Sequence, residues 1–181
     1  MTTQQSPYDY DSALRRRLQI LDENNAGYQS QYFNKLNTLN AAKISSSMVS
    51  DATATDAVGN DLRSKIVATA AKYNGVPYVW GGKTPKGFDC SGLVQYVYKS
   101  MGFKVPPGAI GQASTMGKVA PLNSLRPGDL VAWGSSPANA HHIAIYAGNG
   151  QIWEAPRPGA NVRLTKISGK DAFGISVSML G

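Results

Sequence analysis

The chain has 181 residues, a formal net charge of +7, ordinary apolar content and one cysteine, Cys90. That length holds one enzyme-sized core plus an additional segment, not two full domains. No apolar run reaches the roughly 18 residues of a membrane-spanning helix. A single cysteine excludes an internal disulfide, so Cys90 calls for an explanation in packing or in reactivity. Residues 1–60 contain five Lys/Arg and six Asp/Glu, against thirteen and five in residues 61–181, so the basic excess lies entirely in the second part. A field of that sign attracts polyanions. No nucleic-acid-binding module pattern accompanies it, and nucleic acid is not an expected partner.

At the N-terminus the order MTTQQSPYDYDSALRRRLQI lacks the basic-then-apolar arrangement of a secretory signal. Leu14, Leu18, Leu21, Tyr28, Tyr32, Leu36 and Leu39 then recur at helical spacing, interrupted at Asn24, Asn25 and Gly27. This predicts a helical segment over 1–44. Its apolar stripe, within residues 12–40, either packs on the rest of the chain or docks on another protein or a second copy. Residues 45–60, SSSMVSDATATDAVGN, are small and polar and read as a linker. The domain that follows is expected over 61–181.

Within it, Leu62, Ile66, Ala70 and Tyr73 define one face of a helix capped near Asn60 or Asp61 and ending at Asn74-Gly75. Gly81, Gly82, Pro85 and Gly87 then enforce a loop up to Asp89-Cys90-Ser91. Leu93, Val94, Val97, Tyr98 and Met101 resume helical spacing, which places Cys90 at a helix start. Free N–H groups and the helix dipole favour a thiolate there, and the same N–H groups can receive an oxyanion. A cysteine so placed is a candidate nucleophile, whereas one in a core is inert.

After Pro127-Gly128 the pattern turns strand-like: DLVAW, HHIAIYAG and QIWEAP, the last two joined by a hairpin turn at Gly148-Asn149-Gly150. His141 and His142 are the only histidines. In a strand they point to opposite faces, His141 with Ile143 and Ile145, His142 with Ala144 and Tyr146, and alternation does not choose between them. Zinc binding by this pair with Cys90 is disfavoured, because the two rings diverge and no fourth ligand is suitably spaced. Neither metal nor cofactor is expected.

Five ordered motifs, PYVWGG at 77–82, DCSG at 89–92, RPGDLV at 126–131, HIAIY at 142–146 and GNGQIWEAP at 148–156, resemble the NlpC-type family of cell-wall peptidases over about residues 62–180. The resemblance implies an α+β, papain-like domain with helices packed on an antiparallel β-sheet, here preceded by the helical extension. It implies a cysteine peptidase acting on peptidoglycan stem peptides, with the D-γ-glutamyl to diamino-acid bond as the expected target. Carried over by position, it makes Cys90 the nucleophile, His142 the base and Glu154 the group that orients the imidazole. Many members have histidine in that third place, and a carboxylate serves it by accepting the imidazole N–H. By the same similarity Tyr78 joins the Cys90 N–H at the oxyanion, and Tyr78, Asp89 and Ser91 hold the substrate's amino end. Asp89 also reads as a plain helix cap, and Glu154 as a solvent-facing strand acid. A mainly structural or docking role on a larger assembly is the alternative function. The expected routes to the cell wall are a phage tail or release on lysis, with cytoplasmic recycling of wall peptides as the other setting.

Overall fold

The computed structural model describes residues 53–180. The helical segment predicted for 1–44, with its docking stripe, and the first part of the predicted linker lie outside the described residues. Helix α1 spans Thr53–Ala71. It begins well before the predicted cap at Asn60 or Asp61, so residues 53–60 of the expected linker are helical. The alanines of TATDAVGN supply helix propensity that the small, aperiodic look of the stretch conceals. Its end agrees with expectation: the chain leaves the helix through turns at 72–75, with Gly75 at φ 84°.

A short hairpin follows, β1 (Lys83–Thr84) against β2 (Gly87–Phe88), inside the predicted glycine loop. Helix α2 (Cys90–Ser100) and the short α3 (Ala109–Thr115) come next. The remaining strands are β3 (Gly117–Ala120), β4 (Leu130–Trp133), β5 (His142–Gly148), β6 (Gln151–Glu154), β7 (Arg163–Lys166) and β8 (Ala172–Val177). They form one six-stranded sheet, order β3-β8-β4-β5-β6-β7, with antiparallel neighbours throughout. Helices packed on an antiparallel sheet are the expected α+β class. The motif reading names β4, β5 and β6 but not α3, β3, β7 or β8.

The two faces of the sheet are covered unequally. Ile143, Ile145, Leu130, Ala132 and Ile175 share the main core with Ile66, Val67 and Ala70 of α1 and Leu93, Val94 and Val97 of α2. Each large aliphatic side chain buried there contributes about 1.5–3 kcal/mol. Val131, Trp133, Ala144, Tyr146 and Ile152 form a smaller cluster on the reverse face. All four residues of β4 are therefore buried. Asp129 anchors this strand to α1: its carboxylate accepts from Arg63 at 2.9 Å, from the Arg126 N–H at 2.8 Å and from the Val177 N–H at 3.0 Å. The β5–β6 hairpin turns through Asn149 (φ 54°) and Gly150 (φ 70°), a double left-handed turn suited to strand twist.

Candidate active site

Cys90 is the first residue of α2, and the structure shows why the chain stops turning there. Asp89 has extended backbone and caps the helix, its Oδ1 accepting from the Gly92 N–H at 2.6 Å and from the Ser91 hydroxyl at 3.0 Å. Its Oδ2 accepts from the Gly81 N–H at 2.9 Å, so one carboxylate pins the glycine loop to the helix start. Gly92 permits the contact: a Cβ there would lie 1.9 Å from the Gly82 carbonyl oxygen. Ser91 is buried, and its carbonyl accepts from the fully buried Gln112 at 2.9 Å. The N–H of Gly92 goes to the cap and that of Leu93 to the Asp89 carbonyl. Those of Cys90 and Ser91 precede the helical ladder.

The partner residues come from the sheet. His142 is the first residue of β5, opposite Trp133 of β4. It shares the face of Ala144 and Tyr146, and the Trp133 ring packs beside its imidazole at a centroid distance of 5.0 Å. Trp133 is itself fixed by donating to the Ser168 carbonyl at 2.6 Å. Continuing the register beyond Ile145↔Trp153 sets Glu154 opposite Ala144, one step along that same face. Its Oε2 lies 2.8 Å from His142 Nε2, which leaves Nδ1 for the thiol. Glu154 Oε1 accepts from Arg163, from Nε at 3.0 Å and Nη2 at 2.9 Å, across the β6–β7 pair Glu154↔Arg163.

Electrostatics follow from these contacts. Burial works against charge on His142, but hydrogen bonds to Cys90 and Glu154 and the negative charges of both outweigh it and push its pKa up to about 9. Burial would raise Glu154, yet His142 and Arg163 together hold it below the usual carboxylate range. The imidazolium is thus the favoured form of His142, with the Glu154 carboxylate beside it. Tyr78, part-buried, is raised by desolvation and by the nearby charges of Cys90 and Asp89.

Tyr78, Asp89, Cys90, Ser91 and His142 line one cleft of about 600 Å³, with Trp80 and Ile110 exposed at its rim. The structure thus gathers Cys90, His142, Tyr78, Asp89 and Ser91 directly, and Glu154 behind the imidazole. His141 is exposed at the edge of the same cleft, with Asp171 rather than Glu154 as its nearest acid, at 3.7 Å. Glu154 is 7% exposed, so the reading of a solvent-facing strand acid is set aside. Asp89 is a helix cap and also faces the cleft, so those two readings coexist. Arg163, Trp133 and Gln112 were not anticipated. Nothing in the short run AIGQAST marks Gln112 as buried, and Arg163 is placed only by strand register.

Residues 75–172 match the NlpC/P60 family. The γ-DL-glutamyl hydrolase of Bacillus subtilis is 47% identical over 95 residues, 51% of this chain and 23% of that protein. The γ-D-glutamyl-L-lysine dipeptidyl-peptidase of the same species is 34% identical over 105 residues, 57% of this chain and 35% of that protein. The chain therefore matches about a quarter to a third of the length of these curated relatives. The crystal structure of the NlpC/P60 domain of the peptidoglycan hydrolase SagA superposes with TM-score 0.59 at 40% identity, covering 64% of this chain and 98% of that one.

Proposed function

The chain belongs to the NlpC/P60 family, and on that premise we propose that it is a cysteine peptidase that cuts the stem peptides of bacterial cell wall. One observation carries the reading: a half-buried cysteine at a helix start shares a cleft with an imidazole whose Nε2 is held 2.8 Å from a buried glutamate. A packing role for Cys90 would need none of this. The names of the two Bacillus relatives point to γ-glutamyl bonds, which supports the D-γ-glutamyl to diamino-acid linkage as the target.

In the proposed reaction the Cys90 thiolate adds to the scissile carbonyl carbon. The developing oxyanion is received by the Cys90 N–H and the Tyr78 hydroxyl. The His142 imidazolium then gives its proton to the leaving amine, and a thioester remains on Cys90. Neutral His142 next takes a proton from water, whose hydroxide displaces the thiolate and releases the acid. Such acid–base assistance supplies on the order of 10² to 10⁴ in rate. Glu154 keeps the imidazole turned toward sulfur and stabilises its charged form, and Arg163 fixes Glu154 in turn. Asp89, which accepts three hydrogen bonds and still faces the cleft, is suited to the substrate's free amino end beside Ser91 and Tyr78.

Mass spectrometry of purified peptidoglycan digested by the protein tests this. The expected result is a new amino terminus on the diamino acid. Intact stem peptides, or cleavage elsewhere, would reject the assigned bond. Attachment to a larger assembly such as a phage tail is part of the same proposal and rests only on the apolar stripe within residues 12–40.

A further inference from the structure

Beside the Cys90 cleft lies a second hollow of about 310 Å³ that shares His141, His142, Pro156 and Arg157 with it. The two differ in charge. The cleft holds Asp89 near the nucleophile, whereas the hollow is bounded by Arg157, Arg163 and Lys166. Glu154 is the one acid lining it, and its two oxygens are taken by His142 and Arg163. Asp171, outside the lining, stands 3.7 Å from His141. Among the described residues Arg157 and Lys166 form no ion pair, and both are exposed. Thr165 and Ser168 add hydroxyl groups to the same wall.

A peptide has a matching polarity. With its amino end at Asp89 and its scissile carbonyl at Cys90, the fragment that leaves must lie against His142, because that imidazolium protonates its amine. Pro156 and Arg157 border both spaces beside His142, so a leaving fragment that extends past the imidazole meets Arg157 at the entrance of the hollow. We propose that this hollow is the subsite for the leaving fragment and that Arg157 and Lys166 select fragments ending in a free carboxylate. The proposal rests on the hydrolase reading above. It makes stems whose terminal carboxyl has not been consumed in a cross-link the better substrates.

The test uses two synthetic γ-D-glutamyl stem peptides, alike except that one ends in a carboxylate and the other in an amide. Each is assayed at low ionic strength with the wild-type chain, with Arg157→Ala/Lys166→Ala and with Arg157→Glu. The ratio of kcat/KM for acid over amide is read within each protein, so a general loss of activity or of folded protein cancels. The wild-type ratio is expected at about five, carried by KM and shrinking with added salt. In the double variant it falls to about one, and in Arg157→Glu it inverts. Equal rates for the two peptides in the wild type, or a ratio that survives in the double variant, would overturn the subsite while leaving the hydrolase reading intact. Cleavage of neither peptide by the wild type would remove the hydrolase reading and this subsite together.

Discussion

Tyr78, Asp89, Cys90 and Ser91 come from one continuous stretch of fourteen residues, whereas His142, Glu154 and Arg163 meet across three strands. The first wall of the cleft is built by local rules: an extended Asp89 caps a helix, and two glycines let a loop press against its first turn. The second wall depends on register. Shifting β6 by one residue would turn Glu154 to the opposite face and put Trp153 behind the imidazole. The placement of Cys90 is therefore resistant to change elsewhere, while the activation proposed for it rests on long-range pairing and the 5.0 Å packing of Trp133 on His142.

Breaking the strand wall at its centre gives the largest effect. His142→Ala should lower kcat/KM on a stem peptide by roughly 10³-fold or more, against less than about twofold for His141→Ala, whose side chain is outside the hydrogen-bonded set. Equal losses would mean that the two histidines are assigned the wrong way round. Next is Glu154→Gln, expected to cost about 10²-fold in kcat. The sign of its pH effect follows from charge. Removing the carboxylate destabilises the imidazolium, so the His142 pKa falls from about 9 toward its ordinary 6.5. The alkaline limb of the rate profile should then move to lower pH, and an unmoved limb would count against the contact. Breaking the helix wall acts on stability instead. Gly92→Ala forces a Cβ against the Gly82 carbonyl and should cost about 1–3 kcal/mol, read as a lower denaturant midpoint. An unchanged midpoint would show that the glycine loop yields easily and is not the rigid wall described.

The contrast also explains what could be read without coordinates. Asp89 before a helical run, the clustered glycines and Gly148-Asn149-Gly150 are local features, and they located Cys90 and the β5–β6 hairpin. The class, helices on an antiparallel sheet, was legible from the strand-like runs and the ordered motifs. The choice between His141 and His142 was not available from alternation, since either face of β5 is buried: Ile143 and Ile145 against the helices, Ala144 and Tyr146 beneath the second cluster. It came from resemblance, and the geometry brings His142 to Cys90 and Glu154. Arg163 stayed hidden because an irregular loop separates it from Glu154, and β8 because it inserts between β3 and β4 from far along the chain. The early start of α1 was missed because alanine and threonine without apolar periodicity resemble a linker.

Both walls serve one sulfur atom, so Cys90→Ala is the most direct measurement. The purified variant should keep the wild-type unfolding midpoint, because the site lies at a half-buried helix start, and should release no new amino termini from peptidoglycan over a digestion that the wild type completes. Residual cleavage at a wild-type rate by a folded Cys90→Ala protein would contradict the account.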